Sequence, residues 1–193
     1  GGALSITFIP MFSAYVTRDD EAGGWRLFST IATTMGTMLV GLTLVAEWFA
    51  PELVRYTAAP GFGGAKLDLA VEMTRIVLPA QIAFYLGGLL QSTLFVREIF
   101  WTAAISPLIY NGAIIVFGAA LEPWLGVRAF SWGVVAGAFL GPLGLPLWAA
   151  RERIRYRWHF SLRDRGLHEF VLLSLPLMIG VSLLSADEWI CNA

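Results

Sequence analysis

The chain has 193 residues, of which 57% are hydrophobic and only 14% charged, against roughly 25% charged in a typical soluble domain. That balance, with a mean hydropathy of +0.68, excludes an ordinary soluble enzyme and predicts an integral membrane protein. A net charge of −1 gives the whole molecule no electrostatic preference for a partner, and the single cysteine, Cys191, excludes an intramolecular disulfide framework and disfavours a cysteine metal site.

Read in order, the apolar pattern predicts an all-α, polytopic bundle with about six spans, near 1–17, 27–49, 72–96, 99–121, 129–150 and 168–190. The first is uncharged but short of the roughly 20 residues needed to cross a bilayer. It opens without Met or a basic leader, and the last residues fall in an apolar run, so both ends are expected to lie inside a longer protein. Ser5, Thr7 and Ser13 flank Pro10 in this first span and are its cavity-lining candidates, since a mid-span proline frees a carbonyl that neighbouring groups must satisfy. Residues 18–26 read as a short polar turn.

The second span is rich in hydroxyls (Ser29, Thr30, Thr33, Thr34, Thr37 and Thr43), which in lipid bond their own helix or a neighbour more often than a ligand. Residues 51–67 read as a loop, and their glycines are not a phosphate loop, because no Gly-Lys-Ser/Thr follows and no strand precedes. Pro79, Gln81 and Gln91 mark the third span. The fourth carries Pro107 and Asn111, the latter a candidate for an interhelical hydrogen bond. A turn is expected over 122–128. In the fifth span Gly133, Gly137 and Gly141 recur every fourth residue, a spacing that lets a neighbouring backbone approach closely, and Pro142 and Pro146 are expected to bend or end the helix.

The densest charge in the chain is the run RERIRYRWHFSLRDR at 151–165, which holds six of the thirteen Lys and Arg residues. Arg151, Arg153, Arg155, Arg157, Arg163 and Arg165 between two apolar segments are a strong positive-inside signal, so the 151–166 loop is expected to be cytoplasmic. Alternation then assigns nine basic residues to the inner loops and four to the outer ones. The interleaved Ile154, Tyr156, Trp158 and Phe160 suit a segment at the membrane interface, with rings at headgroup level and guanidinium groups toward phosphates. Single-stranded nucleic acid is also bound by Arg with aromatics, but the flanking spans argue against it.

Asp187 and Glu188 follow 17 uncharged residues in the last span. Ionisable groups in a span default to a functional hypothesis, against the alternative of a pair already at the outer interface. His159 and His168 lie nine apart in the basic region and do not suggest a metal pair. Walker, dinucleotide, HExxH and nucleophile-elbow motifs are absent from the sequence.

Several stretches together resemble the MviN/MurJ-type lipid II flippase family: GALSITFIPMFSAYV, LVRYTAAPGF, EMTRIVLP, ISPLIYNGAII and LSLPLMIGVS, in that order across nearly the whole chain. The resemblance implies helices two to six and part of seven of a fourteen-helix, two-lobed transporter of the bacterial inner membrane. It also implies a lipid-linked peptidoglycan precursor as substrate, moved by alternating access around a central cavity. The resemblance places the family's pyrophosphate-meeting arginines on helices one and eight and near the start of the second, at positions outside this sequence, and Ala14 stands where the family often has Glu. No cofactor is implied beyond coupling to sodium, protons or the membrane potential, and the resemblance matches Asp187 to a seventh-helix carboxylate in an ion site. An oligosaccharide-lipid or multidrug exporter of the same superfamily is the nearest alternative. A membrane enzyme acting on a polyprenyl phosphate, or a structural scaffold, are the alternatives of other classes.

Overall fold

The computed structural model describes residues 2–58 and 63–176, with side chains for 5–56 and 63–176. Among the described residues the architecture is helical, with no strand. The helices are α1 (Gly2–Thr17), α2 (Glu21–Trp48), α3 (Ala50–Leu53), α4 (Ala65–Val77), α5 (Ala80–Val96), α6 (Trp101–Leu125), α7 (Arg128–Ala138) and α8 (Leu145–Ala150). A last helical segment, here α9, covers residues 165–176. Among the described residues four helical stretches are long and apolar enough to cross a membrane: α2, α4 with α5, α6, and α7 through α8.

Helix ends depart from the sequence expectation where capping chemistry overrides polarity. Residues 18–26 are not one turn: α2 begins at Glu21 because Asp20 Oδ1 accepts the Gly23 N–H at 2.9 Å and Glu21 sits in the positive first turn. The expected loop at 51–67 instead contains α3, a π-helical turn at Val54–Ala58 and the start of α4. The turn expected at 122–128 shrinks to two residues, since α6 runs to Leu125 and stops at Gly126 with φ of 56°, a left-handed geometry that glycine adopts without strain.

Prolines set the breaks. Pro79 has no N–H and its ring would collide with the carbonyl four residues back, so the third span divides into α4 and α5, bridged by 3.1 Å bonds from Gln81 N to Leu78 O and from Ile82 N to Pro79 O. Pro142 lies inside a wider π-helical turn, Phe139–Gly144, and Pro146 sits in the first turn of α8, where its missing N–H costs nothing.

The core sits where α1, α2, α5 and α9 meet. Phe8, Phe12, Trp25, Phe28 and Phe170 are buried there, with centroid separations from 5.2 Å for Trp25–Phe28 to 6.5 Å for Phe8–Phe170. Most of these pairs are edge-to-face, the arrangement the aromatic quadrupole favours. A second block is formed by α6, α7 and the π turn, packed on α5. Outward side chains such as Leu44, Leu108, Ile115 and Val116 are exposed, as expected when hydrocarbon rather than protein covers them.

Two opposite ends result. Arg97 Nη2 lies 2.8 Å from Glu21 Oε1, tying the end of α5 to the start of α2. At the other end Arg128 Nε meets Glu72 Oε2 at 2.7 Å, and Arg75 Nε donates to Glu47 O at 3.2 Å. The Arg-rich run belongs to the first end.

Candidate functional site

The basic run does not form a free loop. After a turn that bonds Arg153 N and Ile154 N to Ala150 O, residues 154–161 run without regular secondary structure along the first half of α2. Three hydroxyls of α2 hold this strap. Arg157 N donates to Ser29 Oγ at 3.1 Å, the Tyr156 hydroxyl is 2.8 Å from Thr33 Oγ1, and Ser161 N reaches Thr34 Oγ1 at 3.4 Å. A hydroxyl on a helix can donate to the carbonyl one turn back and still accept from elsewhere. Ser29 does both, donating to Trp25 O at 2.7 Å. Thr30, Thr37 and Thr43 bond only the preceding turn of α2.

Between strap and helix lies a cleft of about 630 Å³, walled by Trp25, Arg26 and Ser29 of α2 and by Arg155, Tyr156, Arg157, Trp158 and His159 of the strap, with Asp164 at one side. Asp164 Oδ1 accepts from Gly166 N at 2.9 Å and Leu167 N at 3.2 Å, so this carboxylate caps α9. Three arginines and one carboxylate, the latter already engaged with backbone, therefore line the cleft.

The six arginines grouped by the sequence divide by position. Arg155 and Arg157 line the cleft. Arg151 lies over the Trp148 ring, 5.1 Å from its centroid, and 3.8 Å from Glu152. Arg153, Arg163 and Arg165 are exposed outside the cleft. Ile154 is drawn into the core cluster, whereas Trp158 and Phe160 remain exposed. Trp25 and Arg26 were missed because they fall in a stretch that reads as a polar turn; their adjacency at a span's entry, on the same side as the Arg-rich run, was the available signal.

The cavity-lining candidates of α1 separate. Thr7 is only 3% exposed and faces the bundle, so it does not line an open surface. Ser5 accepts from Ser92 Oγ at 3.0 Å, which places it against α5. The helix period explains both: Thr7 shares its side of α1 with buried Phe8, while Ile6, Pro10 and Ala14 form the exposed face. Pro10 is thus on the open side, and half-buried Ser13 lends its carbonyl to Thr17 Oγ1 at 2.9 Å.

Asn111 makes no interhelical bond. Its Nδ2 donates to Pro107 O at 2.9 Å within α6, because the side chain points outward and the nearest acceptor is one turn back. Gly133, Gly137 and Gly141 face the backbone of α6: a methyl group on each would lie 2.9 Å from Ile114 Cα, 2.7 Å from Tyr110 O and 2.6 Å from Ser106 O. Gly87 of α5, not singled out in the sequence, meets the Pro142 carbonyl even more closely.

A second concavity of about 840 Å³, between α2, α5 and α9, is apolar and includes Met38, Leu42, Phe84 and Phe170 in its wall. Asp187 and Glu188 lie outside the described residues. Among the described residues no group of three or more His, Cys, Asp or Glu side chains is placed to hold a metal ion.

Comparison with known proteins agrees along the whole chain. The family model described as lipid II flippase MurJ matches residues 1–193. A probable lipid II flippase MurJ from Rhizobium tropici is 25% identical over 97% of this chain and 38% of its own length. One from Buchnera aphidicola subsp. Baizongia pistaciae is 30% identical over 70% of this chain and 27% of its own. A solved structure of lipid II flippase MurJ in an inward closed conformation shares the fold, with a TM-score of 0.73 at 22% identity, covering 91% of this chain and 35% of that one. The chain thus spans less than two fifths of the length of these relatives. With the fold and the whole-chain match in agreement, this polytopic membrane protein belongs to the lipid II flippase MurJ family.

Proposed function

We propose that the full-length protein moves a lipid-linked peptidoglycan precursor, lipid II, from the inner to the outer leaflet of the bacterial cytoplasmic membrane. Residues 1–193 would form part of the N-terminal of two helical lobes that rock around a central cavity. The observation that carries this reading is the match of the entire chain to the lipid II flippase family model. Nine basic residues in or beside the α1–α2, α5–α6 and α8–α9 connections, against four toward the other end of the bundle, support placing the first end in the cytoplasm. We read the protein as a transporter rather than an enzyme, because flipping relocates a lipid without making or breaking a covalent bond.

The open face of α1, with Ile6, Pro10 and Ala14, is the wall this chain would offer to the cavity. Ion coupling falls to Asp187, with Glu188 as its rival. A carboxylate facing the cavity of a pyrophosphate-bearing lipid repels it, and a cation bound there removes the repulsion. Ion occupancy and lipid affinity are then coupled reciprocally. In the full-length protein Asp187→Asn should weaken dependence on a sodium or proton gradient while leaving insertion intact; unchanged dependence in Asp187→Asn, with loss in Glu188→Gln, would transfer the role to Glu188.

Complementation tests the main reading. The full-length gene should restore growth to cells depleted of their lipid II flippase, and residues 1–193 alone should not, since they lack the opposing lobe. Failure of the full-length gene would reject the substrate. Rescue by residues 1–193 alone would reject the two-lobe assignment.

A further inference from the structure

We infer that the cleft between the first turns of α2 and the strap binds a phosphate oxyanion, carried by the headgroup of an anionic phospholipid in the inner leaflet. Four observations converge. Arg26, Arg155 and Arg157 wall the cleft, and among the described residues none of them is in an ion pair, whereas Arg97 and Arg128 are each engaged with a glutamate. Asp164 contributes the one carboxylate, with an oxygen already committed to the α9 cap. Three positive groups against one negative leave the cleft cationic.

The second observation is Trp25, a member of the same wall. Its ring is 2% exposed, yet its indole Nε1 has no hydrogen-bond partner. An indole N–H can only donate, and a buried donor without an acceptor is costly. An oxyanion in the cleft that Trp25 lines would be such an acceptor.

Third, Arg157 is fixed at its root. Its backbone N–H is held by Ser29 Oγ, itself anchored to Trp25 O. The guanidinium is therefore presented from a seated backbone, and guanidinium groups pair with phosphate through two parallel N–H bonds. Fourth, Tyr156 and exposed Trp158 also line the cleft, and such aromatic rings favour the headgroup layer of a bilayer. A volume of about 630 Å³ holds a phosphoglycerol group but leaves the acyl chains outside, in lipid.

This site takes no part in the flipping cavity and rests only on the basic end facing the inner leaflet. Its test is therefore a binding measurement on detergent-solubilised full-length protein, so that loss of transport and loss of headgroup binding are read separately. The probes are dioctanoyl-phosphatidylglycerol, dioctanoyl-phosphatidylcholine and, in a separate arm, inorganic pyrophosphate. Phosphatidylglycerol should bind at least about ten-fold more tightly than phosphatidylcholine, whose choline the arginines repel. Arg155→Lys with Arg157→Lys keeps the charge that directs insertion but loses the planar fork, and should weaken phosphatidylglycerol binding about ten-fold. Trp25→Phe keeps the ring and should weaken it about three-fold. Arg163→Lys with Arg165→Lys, outside the cleft, should stay within about two-fold. Equal losses in the two double variants, or binding of neither anionic probe, would overturn the site. Pyrophosphate binding with the same variant pattern, without binding of the lipid, would overturn the headgroup as its source.

Discussion

The Tyr156 hydroxyl lies 2.8 Å from Thr33 Oγ1, a side chain 123 positions earlier. This contact and its two neighbours turn an Arg-rich connection into a strap seated on α2. Each such hydrogen bond contributes about 1 kcal/mol net, so no single one holds the strap, but the set decides whether it is docked. Tyr156→Phe should loosen it modestly. Ser29→Ala should loosen it more, because Arg157 N then loses its acceptor. Limited trypsin digestion reads the effect directly: cleavage after Arg155 and Arg157 should accelerate in both variants, more in Ser29→Ala, with the melting temperature nearly unchanged. Identical cleavage rates in wild type and variants would mean that the strap is not held there.

The ends of the bundle predict topology. The Arg97–Glu21 pair and the strap share one end, and the Arg128–Glu72 and Arg75–Glu47 contacts share the other. Single cysteines in a Cys191→Ser background should separate them. With a membrane-impermeant maleimide added to intact cells, Gly63→Cys and Trp124→Cys should label, and Trp158→Cys should label only after permeabilisation. Labelling of Trp158→Cys in intact cells, without labelling of Gly63→Cys, would invert the bundle.

Four of the expected spans and the clustering of positive charge were legible because lipid imposes them locally: every crossing segment needs an uncharged run of fixed length, and arginines accumulate on one side; most of the span expected at 168–190 lies outside the described residues. The glycine spacing was legible for the same reason, since one helix face can be counted from the sequence. The docking of the strap was not. Ser29, Thr33 and Thr34 look in the sequence like any hydroxyls that satisfy their own helix, and the strap groups they bond are more than a hundred residues away. Asn111 shows the opposite error, a polar group in a span read as interhelical although Pro107 O lay one turn back. Gly87 escaped notice because its need for a missing side chain comes from the Pro142 carbonyl of another span, not from a repeat in its own.

Packing of α7 on α6 gives a graded prediction. Gly133, Gly137 and Gly141 approach the α6 backbone so closely that a methyl group would fall between 2.6 and 2.9 Å from Ile114 Cα, Tyr110 O or Ser106 O. These are main-chain atoms, which cannot swing aside as a side-chain tip can. Alanine at any of them forces the two helices apart, and overpacking of this kind costs about 1–3 kcal/mol. Gly112, on α6, has open space where its methyl would go and serves as the control. Ala at Gly112 should be neutral or mildly stabilising, because alanine is the better helix former. Thermal unfolding of the purified full-length protein should therefore show a lower midpoint for Gly137→Ala and Gly141→Ala and an unchanged or higher one for Gly112→Ala. Ser106 adds a discriminating detail, since its hydroxyl donates to Gly141 O at 3.2 Å across the same contact. If the helices separate as argued, that bond is already lost in Gly141→Ala. Ser106→Ala should then cost less in the Gly141→Ala background than in wild type, and full additivity of the two changes would show that the helices had not moved.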